Sequence, residues 1–318
     1  MSDGPPVEVR GLTKRYGKLT AVAGVDLTVN TGDVYGYLGP NGAGKTTSLR
    51  MMLGLIRPSA GSVRLFGRNP QETAAALEGV AGFVEAPAFY PYMSGRRNLE
   101  LLGAFDGYGA PSRIDAALET VELSGRAKDR VGGYSHGMRQ RLGIAAALLR
   151  EPKLLLLDEP ATGLDPAGMR DMRLLIRRLA DGGMTVVLSS HLLAEVEELC
   201  NRVAIVRSGK IVYEGEIAAL KRGAGTEYVL STTDDERAVA VCRAQPGVSE
   251  VRVAQKRIFF TADEAAATQL SQALIEAGAL IRVLTPQTVT LEDLFFSLTE
   301  GAEPTPAEPA SEPAEVAP

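Results

Sequence analysis

The run Gly39-Pro40-Asn41-Gly42-Ala43-Gly44-Lys45-Thr46 matches the pattern G-x-x-x-x-G-K-[ST] at every fixed position. It restricts the fold because it works only as the loop between a strand and a helix. Val34 to Leu38 before it is apolar and β-prone, and Thr47 to Leu55 after it has a helical pattern, so the local context is the required one. The glycines let successive backbone N–H groups turn inward onto an anion, and the following helix adds the positive end of its dipole. A phosphate chain is the ligand implied. Lys45 reaches the β- and γ-phosphates, and Thr46 offers a hydroxyl to Mg²⁺. A plain glycine-rich turn is the competing account, and it leaves Lys45-Thr46 to coincidence.

Val7 to Arg10 and Val22 to Val29 read as strands, the second closed by the turn Asn30-Thr31-Gly32-Asp33. Tyr16 lies between them, and its ring can cover the π-face of an adenine; an ordinary core tyrosine is the alternative. Gly61 to Gly67 and Val80 to Val84 read as further strands, the latter ending in Glu85. Pro87 and Pro91 keep Ala86 to Met93 out of a helix, which leaves an exposed loop with apolar tips. Helical patterns over Arg97 to Phe105 and Arg113 to Glu122 then make a mostly helical insert, about residues 86–150.

Tyr134-Ser135-His136-Gly137-Met138 opens a helix that continues to Leu149. Ser135 and Gly137 at a helix start form a second anion site, although a serine cap alone is ordinarily structural. Leu154 to Leu157 reads as a buried parallel-type strand, and it ends in Asp158-Glu159 at the edge where ligands of such sheets bind. Asp158 suits Mg²⁺ held through its water shell, and Glu159 suits polarising a water in line with the γ-phosphate; a surface or capping pair is the competing account. Past a turn over residues 160–166 come a helix from Ala167 to Leu179 and a strand from Thr185 to Leu188. His191 lies beyond that strand end, where an imidazole either bonds a γ-phosphate oxygen or caps the helix Leu192 to Leu199.

Taken in order, Tyr16, GPNGAGKT, Glu85, YSHGM, LLLLDEP, ATGLD and His191 resemble the ABC-type ATPases, the nucleotide-binding subunits of ABC transporters, over about Val7 to Lys221. The resemblance implies an α/β fold: a P-loop ABC ATPase core with a mixed sheet and a helical subdomain. It implies that Tyr16 is the adenine-stacking residue. Gly39 to Thr47 is then the Walker A loop, in which Asn41, Gly42, Ala43, Gly44, Lys45, Thr46 and Thr47 hold the nucleotide. Asp158 and Glu159 are the Walker B pair, Asp165 the D-loop aspartate and His191 the switch histidine. On this basis Glu159, His191 and Lys45 are catalytic, Thr46, Glu85 and Asp158 surround the metal, and the cofactors are ATP and Mg²⁺. Family members work as head-to-tail dimers, so Ser135 and Gly137 serve the nucleotide of a second ATP-binding subunit, and a homodimer is expected.

Two departures stand out. The signature motif usually reads LSGGQ, whereas here His136 replaces its first glycine and Met138 its glutamine. The Q-loop position is Glu85, which can still ligate Mg²⁺ but places a further negative charge beside the phosphates that must be balanced. These departures resemble the branch in which a separate ATPase drives a separate permease to export drugs or antimicrobial peptides. There the aromatic, proline-rich segment after Glu85 lines a groove for a helix of the permease.

Beyond a hairpin over Arg202 to Val206 and Ile211 to Glu214, residues 223–225 read as a joint. The order strand, helix, strand, strand, helix, strand from Tyr228 to Leu284 then suggests a small α+β ferredoxin-like unit, closed by a helix over Leu291 to Leu298. The expected domains are the ATPase at 7–222, an accessory unit at 226–300 and a disordered Ala/Glu/Pro tail at 301–318. The accessory unit carries no chemical cluster and reads as regulatory, dimer-stabilising, permease-contacting or purely structural.

Composition excludes several classes. The 318 residues are 45% hydrophobic with mean hydropathy +0.01, ample for one large core and a smaller one. No apolar run reaches the ~18 positions of a membrane span, and the start lacks the features of a secretory signal. Cys200 and Cys242 fall in no metal-ligand spacing and read as structural thiols in a reducing compartment. Of the net charge of −5, Glu303, Glu308, Glu312 and Glu315 carry four, leaving −1 elsewhere and no electrostatic footprint for nucleic acid. The expected function is therefore ATP-driven transport with an integral membrane permease, peripherally on the cytoplasmic face. A soluble ABC ATPase acting on ribosomes or DNA predicts tandem cores, a coiled coil or basic extensions, none of which is seen. An ATP-binding module without turnover is the third reading, and it rests on His136 and Glu85.

Overall fold

The computed structural model describes residues 4–107, 111–223, 226–254, 257–287 and 290–300. Strands β1 (Val7–Tyr16) and β2 (Leu19–Val29) form a long antiparallel hairpin; β3 (Val34–Leu38) enters the glycine-rich loop and α1 (Lys45–Met52) leaves it. Next, β4 (Ala60–Leu65) pairs with β1 to complete a three-stranded antiparallel sheet. β1 runs six residues past the expected end at Arg10. Its register shifts three times between Val9 and Arg15, starting at Gly11 (φ 55°), and such bulges break the alternation by which a strand is recognised.

The chain continues through β5 (Val80–Phe83), helices α2 (Gly95–Asp106), α3 (Pro111–Thr120) and α4 (His136–Leu148), β6 (Leu154–Asp158), α5 (Pro166–Asp181), β7 (Thr185–Ser190), α6 (Leu193–Leu199), β8 (Arg202–Arg207), β9 (Lys210–Glu216) and α7 (Ile217–Gly223). The central sheet has the order β5-β6-β7-β3-β8-β9, parallel except for β9. Both faces are covered, and the alternation of β6 shows how. Leu154 and Leu156 enter the core shared with the antiparallel sheet and α1, while Leu155 and Leu157 enter the core shared with α4 and α5. Strands buried on both faces read as unbroken apolar runs, which is why the four leucines are recognisable in sequence. Because β3, β6 and β7 run parallel, the glycine-rich loop, Asp158-Glu159 and His191 all emerge at one edge.

The C-terminal strands β10 (Thr226–Thr232), β11 (Val248–Ala254), β12 (Arg257–Ala262) and β13 (Ile281–Gln287) form a separate antiparallel sheet of order β11-β12-β10-β13. With α8 (Asp235–Ala244) and α9 (Glu264–Glu276) interleaved, this is the βαββαβ ferredoxin-like arrangement. After them, α10 (Leu291–Glu300) packs against α6 and α7, and its fully buried Leu291 belongs to the core of the central sheet. Cys200 and Cys242 are both free and buried; burial pushes the Cys242 thiol up to about 11 and that of Cys200 still higher. The joint at 224–225 and the tail at 301–318 lie outside the described residues, among which no helix is long and apolar enough to cross a membrane.

Candidate active site

Lys45 is the first residue of α1, preceded by Gly44 at φ 100°. A Cβ on Gly44 would lie 2.4 Å from the Ala21 carbonyl oxygen, so glycine is required by both conformation and space. The Lys45 ammonium is buried and donates to the carbonyls of Gly39 at 2.7 Å and Pro40 at 3.3 Å. Its third neighbour is Glu159 Oε1, at 3.1 Å. Below the loop, the buried hydroxyls of Tyr37 and Ser48 meet at 3.1 Å and tie β3 to α1.

Asp158 ends β6, 4% exposed, and its Oδ1 accepts from Ser189 Oγ at 2.5 Å. Glu159 sits at φ 50°, in the left-handed region that non-glycine residues occupy only when held there. Its N–H donates to Ser189 Oγ at 3.0 Å, and its Oε2 receives both Thr162 Oγ1 at 2.7 Å and His191 Nδ1 at 2.6 Å. A carboxylate only accepts, so Nδ1 of His191 carries the hydrogen. Burial pushes the Glu159 carboxyl up, but the Thr162 hydrogen bond, the Lys45 charge and the His191 bond outweigh it and hold the carboxyl below its ordinary range. Glu159 is thus anionic and aimed, with Oε1 toward the lysine of the glycine-rich loop.

Lys45, Glu159, Thr162 and His191 line a cleft of about 530 Å³ together with Tyr16, Asn41, Gly42, Gly44, Thr46 and Thr47, within the range of ordinary small-molecule sites. Tyr16 is half-exposed at its mouth, with Lys14 Nζ 5.1 Å from the ring centroid. Ala43 lies buried behind the loop. Besides Ala43, five expected residues do not line the cleft: Asp158, buried behind Glu159, and Glu85, Ser135, Gly137 and Asp165. Ser135 caps α4, accepting from Met138 N–H at 3.2 Å, and Gly137 stands in the same first turn. Asp165 caps α5, accepting from Gly168 N–H at 3.0 Å. Glu85 (φ 68°) also lies outside the lining; it is exposed and ion-paired with Arg50 of α1, which supplies the balancing charge its position demands. Among the described residues no group of three or more His, Cys, Asp or Glu is arranged to hold a metal. The Thr46 hydroxyl and Asp158 carboxylate are nevertheless hard oxygen donors suited to Mg²⁺, which keeps several waters beside phosphates.

Thr162, Ser189 and Arg50 are not singled out by sequence reasoning. Thr162 had a legible signal, since a hydroxyl three residues after Glu159 can close onto it in a turn. Ser189 had none, because its bond to Asp158 depends on β6 and β7 being neighbours with Asp158 opposite Ser189.

Comparison with known proteins agrees with this geometry. A family profile described as ABC transporter matches residues 22–162. The bacitracin transport ATP-binding protein BcrA of Bacillus licheniformis is 37% identical over 298 residues, covering 93% of this chain and 97% of the relative. A daunorubicin resistance ATP-binding protein of Streptomyces coeruleorubidus is 36% identical over 301 residues, covering 92% and 95%. A solved structure of an ATP-binding subunit of an ABC transporter superposes with TM-score 0.61 at 26% identity, covering 69% of this chain and 92% of that one. Similarity running almost end to end with such relatives, on a strand-loop-helix nucleotide site with a carboxylate pair across β7 from it, makes this chain a member of the ABC transporter family, an ATP-binding subunit that hydrolyses ATP.

Proposed function

We propose that this chain powers export of a drug or antimicrobial peptide through a separate membrane permease, by ATP-driven closure of a homodimer. ATP-binding subunits of this family dimerise and pair with a membrane permease. Support for the cargo class comes from the relatives, one named for bacitracin transport and one for daunorubicin resistance. The observation that carries the motor reading is the convergence of Lys45, Thr162 and His191 on Glu159 at 2.6–3.1 Å.

In this reading Tyr16 stacks on adenine, the loop from Asn41 to Thr47 cradles the phosphates, and Lys45 exchanges its carbonyl partners for phosphate oxygens. Glu159 orients and polarises the attacking water, and His191 moves between Glu159 and the γ-phosphate. Mg²⁺ would be held by Thr46 and Asp158, with Glu85 as the outer contributor, and would neutralise charge developing on the phosphates. Ser135, Gly137 and Asp165 belong to the face that meets the nucleotide of the second copy. The ATPase unit spans 7–222 and the accessory unit 226–300. A groove lined by Phe83, Pro87, Phe89, Leu102, Phe105 and Gly143 receives a permease helix on the cytoplasmic face; its exposed Phe105 (83%) is the kind of apolar residue such a contact buries.

The test is Glu159→Gln in the full chain. With ATP and Mg²⁺ it should accumulate as a dimer that turns over at least about 100-fold more slowly. Monomers at saturating ATP would count against the two-chain site. Separately, the tagged chain expressed with its natural neighbours should be recovered with an integral membrane protein; recovery only in soluble or ribosomal fractions refutes transport.

A further inference from the structure

His136, the departure at the first glycine of the signature motif, makes a contact that the proposed function leaves unused. Its Nε2 lies 3.1 Å from the carbonyl oxygen of Thr162. A carbonyl only accepts, so Nε2 bears the hydrogen. The ring lies along the Thr162–Gly163 peptide: a Cβ placed on Gly163 would be 3.6 Å from both Nε2 and Cδ2 of His136. On the next residue, a Cβ placed on Gly137 would be 3.6 Å from Leu164 Cδ2. The first turn of α4 therefore rests on residues 162–164.

That segment also aims the hydrolytic carboxylate. Thr162 N–H donates to the Glu159 carbonyl at 3.1 Å, and the Thr162 hydroxyl donates to Glu159 Oε2 at 2.7 Å. Glu159 at φ 50° and Gly163 at φ 77° both occupy the left-handed region, so ordinary backbone preference does not define the turn and its contacts must. Thr162 is thus held at two ends, its carbonyl by His136 and its hydroxyl against Glu159. A glycine at position 136 offers the carbonyl no partner.

We infer that His136 is a positioning residue for ATP hydrolysis: by holding the Thr162 carbonyl it fixes the turn that aims Glu159, and so joins the α4 end serving one nucleotide to the carboxylate acting on the other. The inference rests on the two-chain site proposed above. A nucleotide that draws the α4 N-terminus of one subunit inward moves His136, and with it the Thr162 carbonyl and the Glu159 carboxylate facing that subunit's own nucleotide. No ordinary glycine signature makes this side-chain connection.

The experiment measures ATP turnover of the full chain with Mg²⁺ for His136→Gly, His136→Gln, Thr162→Val and the His136→Gly/Thr162→Val pair. His136→Gly should lower kcat about 10-fold with KM for ATP changed less than about twofold, because what is lost is orientation rather than ground-state binding. Gln keeps an N–H donor of similar reach and should recover activity to within about threefold of the original chain. Thr162→Val should match the glycine variant, and the pair should fall no further than the weaker single variant, as expected when two changes act on one contact chain. In a Glu159→Gln background, His136→Gly should leave ATP-dependent dimerisation unchanged. The inference is overturned if His136→Gly keeps kcat within about twofold, if Gln behaves like Gly, if the two losses multiply, or if dimerisation fails. Should His136→Gly not fold, His136→Leu, which fills the space without an N–H donor, takes its place with the same expected loss in kcat and the same refuting outcomes. Glu159→Gln alone separates the two levels: if it retains turnover, the site reading fails before His136 is at issue.

Discussion

Substituting Gly143 of α4 by alanine tests whether the segment after Glu85 carries the link to a permease. Two opposing terms decide its effect. Alanine is favoured over glycine inside a helix by up to about 1 kcal/mol. Against that, its Cβ would lie 2.3 Å from Pro87 Cγ and 2.9 Å from Pro87 Cβ. Apolar carbons rest about 3.5 Å apart or more, so Pro87 must retreat by about 1.2 Å, and a flip of the ring pucker shifts Cγ but leaves Cβ close by at 2.9 Å. Overpacking of this kind costs about 1–3 kcal/mol, which leaves a net loss of about 0–3 kcal/mol. The protein should fold and, with its cleft on another part of the sheet edge, keep basal ATPase within about twofold. What moves is the groove wall at Pro87 and Phe89. In membranes containing the permease, stimulation of ATPase by the transport substrate should fall by about tenfold or more, the scale expected of an ångström-level misplacement. If stimulation is unchanged while denaturant unfolding reports the expected loss, the groove is not the contact. A loss well above 3 kcal/mol would mean that Gly143 is part of a tighter core than the Pro87 contact describes.

Beneath the glycine-rich loop, Ser48→Ala leaves the Tyr37 hydroxyl, whose titration burial pushes up to about 12, without its partner. It should cost about 1–3 kcal/mol in chemical denaturation, and Tyr37→Phe/Ser48→Ala should cost less than the two single losses added. Strict additivity would show that the two hydroxyls do not depend on each other. The lowered Glu159 carboxyl contributes stability that is present above the ordinary carboxylate value of about 4.3 and is lost as pH falls through the lowered value. The Tm difference between the original chain and Glu159→Gln should therefore shrink as the solution is taken below about pH 4.3; a constant difference would refute the assignment.

The parts of the site that are local in sequence were legible: a loop whose glycines and lysine are contiguous, and a four-leucine strand ending in two carboxylates. Their convergence was legible only through the family resemblance, since nothing in the residues 39–46 and 158–159 says that β7 lies between β3 and β6. The bonds that aim the site were not legible, because Ser189 reaches Asp158 across a strand pair and Arg50 reaches Glu85 from a helix 35 residues earlier. His191 shows the same limit from the other side. Its position beyond a strand end left a phosphate contact and a helix cap both open, and it is the separation of 2.6 Å that connects the ring to the Glu159 carboxylate.

The C-terminal helix was the element whose pattern said least about its partner. An amphipathic ten-residue helix following a ferredoxin-like order is naturally assigned to that unit, since sequence shows that a face is apolar but not what covers it. Yet Leu291 N–H donates to Glu197 Oε2 at 3.0 Å, while the other oxygen of Glu197 is paired with Lys221 of α7. Glu197 lies on α6, the helix that begins two residues after His191. The same carboxylate thus pairs with a side chain of α7 and accepts the first N–H of α10. Cutting the chain where the sequence places its joint would strip Leu291 from the core of the central sheet and deprive Glu197 of one of its two donors. The boundary in sequence is therefore not a boundary in packing: the accessory sheet is tethered at both ends to the body, once through α7 and once through α10, on the helix that leads away from His191.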